Sequence, residues 1–97
     1  MNQITLNLPP NAQIVGELCR RSAPDELDQD VLQVSLPNGI VIDVGWYPEH
    51  DPAGSYRIIV FRHEWGNEMR PPIQEKNPYE VASLINQLAY EYMLPIS

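Results

Sequence analysis

The sequence predicts an α+β domain: an antiparallel sheet of three to four strands, a meander over 30–63, with a C-terminal helix over 78–93 packed on one face. Three observations carry this expectation. Residues 30–63 hold apolar runs in the alternation of half-buried strands, separated by turn residues. Residues 78–93 hold a long apolar stripe at helical spacing behind a capping signal. The chain has 97 residues, enough for one two-layer core, so 1–97 reads as a single domain.

The elements follow in chain order. Gln3-Ile4-Thr5-Leu6-Asn7-Leu8 alternates polar and apolar and reads as a short strand, ended by Pro9-Pro10 and available to join the sheet. Over 12–21, Ala12, Ile14, Val15, Leu18 and Cys19 fall at helical spacing behind Asn11 as a cap, with Arg20 and Arg21 suited to the C-terminal dipole. A short helix is expected there. Gly16 argues against it by about 1 kcal/mol relative to alanine, and a strand is the alternative. Asp25-Glu26-Leu27-Asp28-Gln29-Asp30 reads as an acidic loop.

The hairpin over 30–47 can be derived to its register. Leu32, Val34 and Leu36 share one face, and Ile40, Ile42, Val44 and Trp46 share one face of the next strand. A two-residue Asn38-Gly39 loop would set these rows on opposite faces. A three-residue Pro37-Asn38-Gly39 loop pairs Leu36 with Ile40, Val34 with Ile42 and Leu32 with Val44, and the rows coincide. Proline at the first position of a type I turn and glycine at its left-handed end fit the longer loop. The Asp51-Pro52-Ala53-Gly54 turn leads to a third strand, Tyr56 to His63, that is apolar on both sides. Whichever of Ile58/Val60 or Ile59/Phe61 faces the helix, the other pair needs cover, because a strand apolar on both sides is usually covered on both.

Glu64 to Lys76 reads as a long loop around Pro71-Pro72. Asn77-Pro78-Tyr79-Glu80 then supplies an N-cap, a proline at the first helical position and an acid at the third. Val81, Leu84, Ile85, Leu88 and Tyr92 form the stripe, Ala82, Ala89 and Met93 flank it, and Pro95 stops the helix.

Composition narrows the function. Hydrophobic residues make up 43% and charged residues 20%, which is ordinary for a globular protein and argues against a globally disordered chain. The net charge of −7 argues against nonspecific nucleic-acid binding and against an anionic membrane surface, since phosphate affinity follows cation count. Cys19 has no partner for a disulfide, which fits a reducing compartment, and the N-terminus lacks the features of a secretory signal. The expected location is cytoplasmic.

Chemical motifs are sparse. His63-Glu64-Trp65-Gly66-Asn67 begins like a zinc-protease helix but has Asn67 where the second histidine belongs. Glu49-His50-Asp51 is a polar turn tip, and His50 and His63 fall at opposite ends of the third strand. Cys19 sits on an apolar stripe, where a thiol packs as a small hydrophobe. Asp43 faces away from the core, where a cross-strand pair with Arg57 or Arg62 accounts for it. The glycines are dispersed, so no phosphate-cradling loop exists. No catalytic residue, metal or cofactor is therefore assigned.

Binding has more support. If Ile58 and Val60 join the core, Val41, Tyr47, Ile59 and Phe61 lie on the second face, and Trp65, Met69 and Arg70 follow in the long loop; Trp and Arg are enriched at interface hot spots. The leading expectation is a non-catalytic protein-interaction module, a homodimer or an accessory subunit, whose partner is a protein (itself or another). Two alternatives remain: an acidic inhibitor or antitoxin-like protein that occupies a basic site, and an enzyme or metal protein using His50, His63 or Cys19.

Overall fold

The computed structural model describes residues 2–62 and 68–93. Among them, strands β1 (Gln13–Gly16), β2 (Leu32–Ser35), β3 (Ile40–Tyr47), β4 (Ser55–Arg62) and β5 (Ile73–Glu75) form one antiparallel sheet in sequential order, and helix α1 (Pro78–Met93) packs on one face. The class is the α+β class expected, with five strands in place of three or four.

The β2–β3 hairpin has the derived register. Leu32 faces Val44 and Val34 faces Ile42, and the Leu36 amide donates to the Ile40 carbonyl at 2.8 Å. Gly39 takes a φ of +88°, the left-handed geometry that closes the turn without steric penalty. The next turn closes through the Gly54 amide on the Asp51 carbonyl, and the Asp51 carboxylate accepts from the Ala53 amide. In β4, Ile58 and Val60 face α1 and are fully buried, which sends Ile59 and Phe61 to the second face.

Helix α1 begins as expected. The Asn77 side chain accepts from the Tyr79 amide at 2.9 Å, and its carbonyl accepts from the Val81 amide at 3.0 Å. Val81, Ala82, Ile85, Leu88 and Ala89 are its buried stripe. The expected stop at Pro95 lies outside the described residues. At the other end of the core face, the Trp46 and Tyr56 rings meet edge to face, 4.8 Å between centroids, and Trp46 Nε1 donates to the Asp51 carbonyl.

Three expectations are corrected. Residues 13–16 are a strand, not part of a helix: Gly16 has a φ of +89°, outside the helical region, and β1 pairs with β2 through Ile14–Val34. The N-terminal alternation does not make a regular strand. It forms one bridge, Gln3–Cys19, and the segment is tied to α1 by Asn86 Oδ1 and the Tyr90 hydroxyl. The long loop contains β5. The chain returns along β4 with Glu68 opposite Phe61 but Ile73 opposite Ile58, so the ladder slips by two residues around Pro71-Pro72, which lack amide donors. The acidic loop, by contrast, is anchored: a single 3-10 turn (Pro24–Glu26) leads into buried Leu27, and the Asp28 carbonyl accepts from the Trp46 amide.

Candidate interaction surface

The second face of the sheet carries two rows of side chains. One runs Gln13, Ser35, Val41, Phe61 and the other Val15, Gln33, Asp43, Ile59. In the first row Val41 is 8% exposed and Phe61 3% exposed, and Phe61 also pairs with Glu68 across its free side. These two hydrophobes are covered within the chain itself. Ile59 is partly buried. Tyr47 stands at the far end of the sheet, with the Arg57 guanidinium 4.5 Å above its ring. Met69 is exposed, its amide donating to the Val60 carbonyl, and Arg70 bonds the adjacent Pro71 carbonyl. The predicted residues therefore do not form one patch: Val41 and Phe61 touch as a cross-strand pair, and Tyr47 lies apart. Trp65, with His63, is outside the described residues.

The exposed apolar surface lies on β1. All four of its residues are exposed, Ile14 at 48% and Val15 at 68%. The strand follows Pro9-Pro10 and carries no charge over 9–16. Its partner is β2 on one side. The Glu17 amide on the Val31 carbonyl fixes the phase of the antiparallel ladder, so Val15 bonds β2 while the amide and carbonyl of Ile14 point away from it. The opposite edge, β5, is guarded differently: it has three residues, Pro71-Pro72 just before it, and Glu75 and Lys76 at its end.

A groove flanks β1 on each face. On the α1 side, a hollow of about 240 Å³ is lined by Ile4, Leu6, Ile14, Leu18, Leu32 and neighbours. On the second face, one of about 180 Å³ is lined by Val15, Gly16, Asp30, Leu32, Gln33 and Asp43. Asp43 has no cross-strand cation: its partner is Ile59, and Arg57 is engaged by Tyr47, which corrects the expected ion pair. Partial burial first, and the neighbouring Asp30 charge second, hold the Asp43 carboxyl above its ordinary pKa. Sequence reasoning held a strand here only as the alternative to a helix and missed this groove, since neither the four-residue strand nor the approach of Asp30 leaves a periodic signal.

The remaining candidate chemistry is dispersed. Among the described residues, no group of three His, Cys, Asp or Glu side chains is placed to hold a metal. His50, at a φ of +62°, sets Nδ1 3.1 Å from the Pro24 carbonyl and Nε2 3.1 Å from Glu49. Cys19 is partly buried, and its thiol is pushed up by burial and then by the Glu17 and Glu26 charges. Arg20, Arg21 and Lys76 rim a shallow groove over Leu27, Trp46 and Tyr56. Among the described residues, no helix is long and apolar enough to cross a membrane. No protein-family model, curated protein or solved structure matches the chain.

Proposed function

We propose that the protein is a small non-catalytic interaction module, an accessory subunit that takes an extended segment of a partner protein onto the free edge of β1. The observation that carries this reading is the edge itself: uncharged, with Ile14 and Val15 exposed and the Ile14 backbone groups turned outward. An edge strand presenting unpaired amides and carbonyls is a template for strand addition, and proteins that do not use such an edge usually blunt it with charge or proline. Prolines precede both edges, Pro9-Pro10 before β1 and Pro71-Pro72 before β5, but β5 also carries Glu75 followed by Lys76, whereas β1 has no charge over 9–16. The net charge of −7 also supports a second reading, an inhibitor that fills a basic site on its partner; it uses the same edge.

The test is a photo-crosslinking residue placed at Val15 in cells, with Tyr79 on the exposed face of α1 as the control. Covalent adducts are expected from Val15 and not from Tyr79, and Ile14→Lys should remove them. Equal labelling from both positions, or none from Val15, refutes the proposal.

A further inference from the structure

We infer that the segment received at β1 is basic: an extended stretch of another protein that alternates apolar side chains with Lys or Arg. This inference rests on reading β1 as the docking edge and names the chemistry of its occupant. An added strand turns successive side chains to opposite faces. One set would enter the groove beside Ile4, Leu6 and Ile14, which asks for aliphatic groups. The other would lie over Val15, on the face where Asp30 and Asp43 line the groove.

The charges there are one-sided. Neither groove is lined by a Lys or Arg, while Glu17 borders one and Asp30 and Asp43 the other. None of these three carboxylates forms an ion pair among the described residues. Strands in a sheet lie about 4.8 Å apart, so an added strand would run about two spacings from the line of β2. A lysine or arginine on it reaches Asp30, which sits where the chain enters β2, and feels Asp43 one strand further in. Burial and the Asp30 charge already disfavour the charge on Asp43, and the attraction of an arriving cation offsets them. A second copy of this chain fits less well, because residues 9–16 bring no cation and each copy carries a net charge of −7.

The experiment titrates the full chain with three labelled hexapeptides of alternating Val-Lys, Val-Thr and Val-Glu, following anisotropy and the amide resonances of 13–16. Val-Lys should bind about tenfold more tightly than Val-Thr, with Val-Glu weakest. The advantage should shrink with salt, and the double variant Asp30→Asn/Asp43→Asn should bring Val-Lys binding down to the level of Val-Thr. Equal binding of Val-Lys and Val-Thr overturns the basic partner and leaves the docking edge standing. Failure of all three peptides to perturb 13–16 overturns both. Light scattering that shows a dimer lost in Val15→Lys overturns the basic partner in favour of a second copy.

Discussion

Replacing Phe61 with alanine separates a face covered by its own chain from one awaiting a partner. Phe61 is 3% exposed and stands opposite Val41, itself 8% exposed. Truncating a buried phenylalanine costs about 3–5 kcal/mol. Stability of about 0.05–0.15 kcal/mol per residue gives a domain of this length about 5–15 kcal/mol in all, so the variant loses about a fifth of it or more. In urea, with a slope of about 1.5 kcal/mol per molar, the midpoint should fall by about 2–3 M. Ile59→Ala, at a partly exposed position two residues away, should cost about 1–2 kcal/mol. The assay is urea unfolding followed by circular dichroism at two protein concentrations a hundredfold apart, and the midpoints should not depend on concentration. A loss below about 1 kcal/mol for Phe61→Ala would refute the reasoning. So would a concentration-dependent wild-type midpoint that becomes independent in the variant, since Phe61 would then be buried by another chain.

Three further outcomes follow from the same geometry. Gly16→Ala should destabilise by more than the roughly 1–3 kcal/mol typical of left-handed strain, because its Cβ would also collide with the Val31 carbonyl oxygen; urea unfolding and faster amide exchange at 13–15 would register it. Asp43→Asn should be more stable than wild type at neutral pH. The folded state raises the Asp43 pKa, so its stabilising contribution is complete below the unfolded value, about 3.9, and is lost as pH rises through the folded one. The gap between variant and wild-type melting temperatures should therefore close as pH falls through that window. Cys19 should react with iodoacetamide more slowly than a free cysteine at pH 8, and Glu17→Gln should speed it, since burial and then the Glu17 and Glu26 charges suppress the thiolate.

What was legible in the sequence was whatever rested on agreement between neighbouring signals. The β2–β3 register could be derived because Pro37 and Gly39 demand the same loop length that aligns Leu32, Val34 and Leu36 with Val44, Ile42 and Ile40. Helix α1 was legible because cap, proline and stripe coincide. β1 was not: Ala12, Ile14, Val15, Leu18 and Cys19 satisfy a helical period, and only pairing with β2 and the backbone of Gly16 overrule it. β5 was hidden by Pro71-Pro72, which interrupt the ladder just before its three residues. The facing of β4 could not be read from Ile58-Ile59-Val60-Phe61, all apolar, and follows from the cross-strand partners that share the α1 face.

The interaction surface shows why hydrophobicity alone is a weak guide to where a protein is open. A run such as Ile58 to Phe61 says that cover is required on both faces, but not who supplies it. Val41 and Phe61 obtain theirs from their own chain, Phe61 with Glu68 bridged across its free side. Val15, smaller and read in the sequence as part of a helical stripe, stays open because β1 ends the sheet, and the N-terminal segment bridges the chain only beyond it, at Cys19. Exposure at an edge has a different consequence from exposure on a face. A face offers contact area, whereas an edge also offers directed hydrogen bonds, which fix the register and the direction of whatever arrives. If a strand docks there as proposed, its register would be fixed, and Asp30 and Asp43 would select among arriving strands by charge, making specific by topology a surface that looks generic by composition.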